Sequence, residues 1–432
     1  MLERSGCNEL VVDETGLTSL KDVLTDIVHP LVVVAPFVDD VTEFRKQWPK
    51  HTVVGKHDLC SLAGWTPEEC AGDDLAYMMF TSGSTGTPKA VGVTHRNIRA
   101  FLDTVVERYH VTSDDRFSQT FALNFDLAVF DLFAAWECGA CVCIPTKEQM
   151  LNIGRYIDSE RLSVWFSTPS TAIMIKRLGQ LEPEQHPGLR LSLFCGEALP
   201  VEIAQAWAAS APNSITENLY GPTELTLCCT YYRWDDERTA LEAENGVVPI
   251  GEPFPGMTVL VANETLVEVA PGTVGELLMT GPQLTLGYWR DADKTKAAFV
   301  VPPGKDCVYY RTGDRVRHPL PERPLTYLGR QDNQIQIHGI RVELGEIEAA
   351  LREEAKVAIA VAMGWPAATA SAAGVVAFIE PTEIELGNLK KLLAKRLPST
   401  MLPRRIEVLD KFPTNPNGKI DRKVLKTMLP TT

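Results

Sequence analysis

The sequence predicts an α/β protein, and three observations carry that expectation. From residue 75 to about 235, apolar runs of strand length alternate with segments whose apolar residues recur at helical spacing. From 246 to 330 the texture changes to short strands punctuated by Gly and Pro, as in V-P-I-G-E-P and Y-Y-R-T-G-D. From about 333 a smaller set of strands and helices follows. The expected architecture is a large N-terminal subdomain of mixed or parallel α/β layers with a small β-barrel-like region, then a small α+β C-terminal subdomain.

Taken in order, residues 31–38 form an apolar strand and 41–48 a helix. Two apolar runs, 75–80 and 90–93, flank a loop rich in Ser, Thr and Gly. Thr94 is placed to cap a helix running through Arg108, and 126–138 reads as an amphipathic helix stopped by Gly139. Residues 140–144 read as a buried strand, 164–166 and 191–195 as further strands, and 201–209 as a helix. In the last part, strands are expected at 334–338, 358–363 and 374–379, with helices at 344–356 and 386–397.

Composition narrows the function classes. The 432 residues carry a net charge of −14 with no long basic block, which argues against nucleic-acid binding as a main role. Acidic and basic residues interrupt the first thirty positions, so no signal-peptide core is expected there. The longest apolar stretch, 123–145, is broken by Asp126, Asp131 and Glu137, so no membrane span is expected. Ten cysteines without a regular framework point to a reducing, cytoplasmic setting. Cys138, Cys141 and Cys143 lack a second ligand pair at zinc spacing and read as ordinary core thiols.

The stretch F-T-S-G-S-T-G-T-P-K-A-V at 80–91 is the most specific signal. Hydroxyls (Thr81, Ser82, Ser84, Thr85, Thr87), two glycines (Gly83, Gly86) and one cation, Lys89, are the ingredients of a polyphosphate cradle. Gly86 is followed by Thr87 and Pro88, so the P-loop pattern fails, and the loop lies between strands rather than opening a helix.

Further motifs follow in order: N-F-D-L-A (124–128), N-L-Y-G-P-T-E (218–224), G-E-L-L-M-T-G (275–281) and Y-R-T-G-D (310–314). Then come G-R-Q-D-N-Q-I-Q-I-H-G-I-R-V-E-L-G-E-I-E (329–348), L-P-S-T-M-L-P (397–403) and N-P-N-G-K-I-D-R (415–422). Over residues 75–422 the chain resembles the adenylate-forming superfamily, specifically the amino-acid adenylation domains of nonribosomal peptide synthetases. The resemblance implies a core subdomain, 1–331, and a mobile C-terminal subdomain, 332–432, hinged at Asp332.

It also implies roles. Thr81, Ser82, Gly83, Ser84, Thr85, Gly86 and Lys89 would hold phosphates, Thr85 acting in catalysis, and Glu224 would hold Mg2+ and take part in catalysis. Tyr220, Asn218 and Gly221 would meet adenine, Asp314 the ribose hydroxyls and Arg330 ribose or phosphate. Lys419 would bridge the reacting carboxylate and the nucleotide as the catalytic cation. Asp126 would pair with a substrate α-ammonium, although Ala128 replaces the usual serine of that motif. The side-chain pocket would comprise Leu127, Phe130, Thr171, Leu193, Cys195, Gly196, Leu219, Leu227 and Cys228. Apart from Asp126 the pocket is uncharged, which favours a small or medium uncharged amino acid.

The implied reaction is ATP-dependent formation of an aminoacyl-adenylate with release of pyrophosphate, then transfer to the phosphopantetheine thiol of a carrier protein. The domain would act as a monomer. Three departures stand out. Residues 1–74 show none of the earliest family motifs, so the N-terminal subdomain reads as shortened. Gln336 and His338 stand where the family usually has Lys and Arg, and nothing after Arg422 resembles a carrier. The competing readings are an acyl- or aryl-CoA ligase of the same superfamily and a truncated, non-catalytic nucleotide-binding remnant.

Overall fold

The computed structural model describes residues 1–25, 27–59, 64–81, 88–330, 334–365, 372–413 and 420–429. The chain divides into two compact units, Met1–Ala71 and Gly72–Thr432. In the first, strands Glu9–Val11, Val32–Ala35 and Thr52–Gly55 form a parallel sheet. Helix Glu14–Thr25 buries Leu20 and Leu24 among Leu31, Val33 and Ala35. The strand and helix expected at 31–38 and 41–48 appear as Val32–Ala35 and Thr42–Gln47.

The second unit is built on a seven-stranded sheet ordered Glu252–Pro253, Thr230–Arg233, Ile215–Tyr220, Leu191–Phe194, Val164–Ser167, Arg116–Ser118 and Cys141–Cys143. The last five strands run parallel, and the first two are antiparallel additions. Every residue of Val164–Ser167 and Leu191–Phe194 is buried, as strands covered on both faces must be. Alternation sorts them: Val164, Phe166, Leu191 and Leu193 enter one hydrophobic cluster, whereas Trp165 and Phe194 enter the other.

One strand departs from expectation. Residues 140–144 are not a buried strand but the short edge strand Cys141–Cys143, with Cys141 and Ile144 exposed and Ala140 and Cys143 buried. An edge strand has a neighbour on one side only, so its apolar residues need not be covered. The helix expected at 126–138 is present, but its centre, Phe130–Ala134, is a π-turn between Leu127–Val129 and Ala135–Glu137. Thr94 caps His95–Tyr109 by accepting from the Asn97 amide, as its type and place predict.

The region 246–330 supplies a five-stranded antiparallel sheet: Thr258–Ala262, Val274–Thr280, Tyr309–Arg317, Phe299–Val300 and Thr326–Arg330. Beyond it, hairpin Gln334–Ile337 with Ile340–Glu343 precedes helix Leu344–Ala355. The sheet of Ala360–Trp365, Gly374–Ile379 and Pro403–Val408 follows. Residues from 335 onward build hydrophobic clusters of their own around Ile347, Leu351, Phe378 and Leu425. The boundary expected at 331/332, and Asp332 with it, lies outside the described residues.

Candidate active site

The parallel strands end together, and the candidate residues follow their carboxyl ends, where open α/β sheets place ligands. Thr168 follows Val164–Ser167, Cys195-Gly196-Glu197 follows Leu191–Phe194, and Tyr220-Gly221 closes Ile215–Tyr220. The hydroxyl-rich stretch falls between antiparallel strands Leu75–Thr81 and Lys89–Thr94, in which Thr81 stands opposite Lys89. Ser82, Gly83, Ser84, Thr85 and Gly86 lie outside the described residues. Thr81 Oγ1, at the end of its strand, is buried with no hydrogen-bond partner. Lys89 Nζ stands 5.0 Å above the Tyr288 ring. Burial pushes the Lys89 ammonium below the ordinary lysine range, Arg341 adds to the effect, and Glu224 opposes it.

Glu224 lies in the short turn Thr223–Leu225 with no exposure. Its Oε1 accepts from Tyr288 Oη at 2.7 Å, and its carboxylate receives Arg341 Nη1 at 3.0 Å on Oε2 and 3.3 Å on Oε1. Burial works against ionisation here, but Arg341 and then Lys89 overcome it and hold the carboxyl at about 2. A buried, fully ionised carboxylate is the hard oxygen donor that a magnesium ion takes, so the residues present fit such an ion.

At the other end of the cleft, the register of Tyr309–Arg317 and Thr326–Arg330 sets Asp314 directly opposite Arg330. Arg330 Nη1 donates to Asp314 Oδ1 at 2.8 Å and Tyr220 Oη to Oδ2 at 2.5 Å. Burial raises the Asp314 carboxyl above the aspartate range despite Arg330 and Tyr220. Asn218 donates its amide to the carbonyls of Val248 and Pro249, leaving Oδ1 buried without a partner. These residues, with Gly196, Gly221, Tyr327 and Arg341, line one cleft. Gly221 admits no side chain: a Cβ would lie 2.4 Å from Cys228 Cα.

Asp126 occupies the N-cap position of Leu127–Val129 but makes no side-chain capping bond. It is buried, its Oδ2 has no partner, and burial pushes its carboxyl up to about 6. Thr223 and Glu224 are its polar neighbours. Leu127, Leu193, Cys195, Leu219, Leu227 and Cys228 share one buried cluster. Phe130 belongs to it too, but its ring is held edge-on or tilted against Phe101, Tyr109, Phe117 and Phe166, a core position. Thr171 is half-buried outside that cluster and pairs with Thr168 at 3.2 Å between hydroxyls.

Several residues that shape the site received no role from the sequence. Gln283 donates its side-chain amide to the carbonyls of Leu225, Thr226 and Cys228 at 3.2, 3.1 and 2.8 Å. That clamp holds the turn in which Thr226 and Leu227 both take the left-handed backbone region. Glu197 receives Ser170 N at 2.9 Å on Oε2 and Gly339 N at 2.7 Å on Oε1. Arg341 lies within the quoted motif at 329–348, and that motif was the available signal. Lys419 lies outside the described residues. Gln336 lines the same cleft as Asp314 and Arg330, and His338 turns the hairpin with a φ of 50°.

Residues 1–289 match the AMP-binding enzyme family, and residues 346–419 match the AMP-binding enzyme C-terminal domain. The chain belongs to the AMP-binding enzyme family. The match begins at residue 1, so the first 74 residues, in which no early motif is legible, belong to the family region as well. An L-proline–[L-prolyl-carrier protein] ligase of Pseudomonas fluorescens is 36% identical over 82% of this chain and 68% of its own length. A D-alanine–D-alanyl carrier protein ligase of Bacillus licheniformis is 33% identical over 82% of this chain and 71% of its own. The chain thus spans about two thirds of the curated proline ligases it matches, 68% of one and 66% of another from Streptomyces coelicolor. Among solved structures, the Vibrio cholerae adenylation domain AlmE, in complex with glycyl-adenosine-5'-phosphate, superposes with a TM-score of 0.86. It is 31% identical, over 99% of this chain and 80% of that one. The adenylate-forming family and the α/β architecture expected from the sequence are both borne out.

Proposed function

We propose that this AMP-binding enzyme activates a small or medium uncharged α-amino acid. The amino-acid carboxylate attacks the α-phosphorus of ATP, forming the acyl-phosphate bond of an aminoacyl-adenylate as the bond to pyrophosphate breaks. The acyl group then passes to the phosphopantetheine thiol of a carrier protein, releasing AMP. The observation that carries the reading is Asp126, a buried carboxyl at a helix N-cap position that makes no side-chain capping bond and leaves Oδ2 without a hydrogen-bond partner. A buried carboxylate of this kind demands a cation, and an α-ammonium supplies it. An aryl- or fatty-acyl substrate has none. The ligase names of the relatives and the glycyl-adenylate bound to AlmE support the same reading.

In this reading Asp314, Arg330 and Tyr220 hold the nucleoside and orient it at the strand ends, and Thr81 and Lys89 meet the phosphates. Glu224 holds Mg2+, which when bound neutralises phosphate charge. Lys419 meets the reacting carboxylate, and residues 332–432 turn about Asp332 between the half-reactions. The pocket's leucines and thiols select an uncharged side chain. A cytoplasmic, reducing setting accords with the free thiols at all nine described cysteines. Among the described residues no helix is long and apolar enough to cross a membrane.

Amino-acid-dependent ATP–pyrophosphate exchange over all proteinogenic amino acids, with fatty and aryl acids alongside, tests the proposal. Exchange confined to uncharged small or medium amino acids is expected. Exchange driven by a fatty or aryl acid instead would assign the chain to the acyl-CoA ligases.

A further inference from the structure

We infer that Tyr288 is a positioning residue that couples the metal carboxylate, Glu224, to the phosphate-side cation, Lys89. The inference rests on the reading of Glu224 as the metal ligand and of Lys89 as a phosphate contact. Tyr288 is only 6% exposed, yet its one side chain touches both groups. Its Oη donates to Glu224 Oε1 at 2.7 Å, and Lys89 Nζ stands 5.0 Å from the centre of its ring. A carboxylate offers about four acceptor sites. Tyr288 uses one on Oε1 and Arg341 Nη1 approaches at 3.0 Å on Oε2, so capacity for an ion remains. The hydroxyl therefore fixes which way the carboxylate faces without closing it, as partners of ligating carboxylates do.

The backbone around Tyr288 explains how one ring reaches both groups. Tyr288 bridges Val91 in antiparallel register, and Trp289 N donates to Ala90 O at 2.8 Å. Residues paired in an antiparallel bridge set their side chains on one face, and Lys89, two positions before Val91, shares that face. The lysine is thus a diagonal cross-strand neighbour of the ring, within reach of an aromatic side chain. Toward the carboxylate, Thr285 N and Thr285 Oγ1 both donate to Glu224 O at 3.1 Å. Residues 285–289 therefore hold Glu224 by backbone and side chain while lying along the strand that begins at Lys89. The ring itself is pinned. Tyr288 N donates to Thr295 Oγ1 at 2.9 Å, and the ring packs edge-on against Phe299 with centroids 5.8 Å apart. Gly287 has a φ of 118°, and a Cβ on it would lie 2.4 Å from Thr295 Cγ2, so this close approach requires glycine. A core tyrosine needs only some acceptor for its hydroxyl. This one takes the buried carboxylate and supports the lysine as well.

Tyr288→Phe keeps the ring and removes only the hydroxyl, so it separates the two contacts. With the full chain, ATP and no amino acid, bound Mn2+ is followed by electron paramagnetic resonance. The Phe variant is expected to hold Mn2+ with a dissociation constant at least about tenfold above wild type, the scale of losing a ligating group's partner. Its affinity for ATP in chelator, read by calorimetry, should stay within about twofold of wild type, because Lys89 keeps its ring. Tyr288→Leu removes the ring and should weaken binding of chelated ATP roughly fivefold as well. Wild-type Mn2+ affinity in the Phe variant overturns the inference. Equal weakening of that variant with and without metal also overturns it, being the pattern of a merely structural side chain. Wild-type binding of chelated ATP by the Leu variant overturns the coupling to Lys89. Wild-type Mn2+ affinity in Glu224→Gln would instead refute the reading of Glu224 itself. That outcome differs from a Glu224→Gln that loses Mn2+ beside a Phe variant that keeps it, which refutes Tyr288 alone.

Discussion

Asp126→Asn separates a binding carboxylate from a structural cap, because the two roles predict opposite signs for stability. The carboxyl titrates at about 6 through burial, some two pH units above the ordinary aspartate value. Holding it ionised at pH 7 without a countercharge therefore costs the ligand-free fold roughly 3 kcal/mol. Asparagine carries no charge but keeps polar atoms to bury, so a net stabilisation of roughly 1–3 kcal/mol is expected at pH 7. Because the folded-state pKa lies above the unfolded one, the penalty is absent below about pH 4, grows between pH 4 and 6, and is complete above 6. The advantage of the variant should follow that window, read from urea denaturation at pH 4, 5, 6 and 7. Pyrophosphate exchange should fall at the same time by at least about 100-fold in kcat/KM for the amino acid, the scale of a broken buried pair. A variant less stable than wild type by the same amount at every pH, with exchange intact, would show that Asp126 is a cap after all.

Gln283→Leu leaves the carbonyls of Leu225, Thr226 and Cys228 without the donor that holds them. We expect a loss of roughly 1–3 kcal/mol in urea denaturation, with a raised KM for the amino acid because Leu227 and Cys228 shift. Unchanged stability together with unchanged KM would remove Gln283 from the pocket's support. Lys419→Ala should abolish adenylate formation yet permit transfer to a carrier from supplied aminoacyl-adenylate. Retained pyrophosphate exchange in that variant would sink the role given to Lys419.

Much of this protein follows from local pattern. The apolar runs on either side of residues 82–87 place a loop between two strands, and the paired strands Leu75–Thr81 and Lys89–Thr94 are what the structure has. Thr94 before a helical repeat makes a cap, and Asp314 and Arg330 lie in the paired strands Tyr309–Arg317 and Thr326–Arg330. Cap chemistry, strand length and turn residues act within a few positions of one another, so spacing along the chain suffices to read them. The ordered motifs carried family membership in the same way.

What the tertiary structure decided are the pairings and their electrostatics. Asp126 reads equally well as a cap or as a ligand group until its unpartnered, buried oxygen is seen. Phe130 fits a pocket list by position, but four rings around it make it core. Residues 140–144 look buried from composition, and only the strand order puts them at an edge. Arg341 meets Glu224 across 117 residues of sequence, and Gln283 reaches back 55 to 58 positions to the turn it clamps. No local period encodes such contacts, because they depend on how separate elements pack and on which charges burial leaves facing each other. The amino-acid order of this chain therefore determined which groups are present and on which elements they ride. Folding decided which carboxylate is left in want of a cation and which already has one.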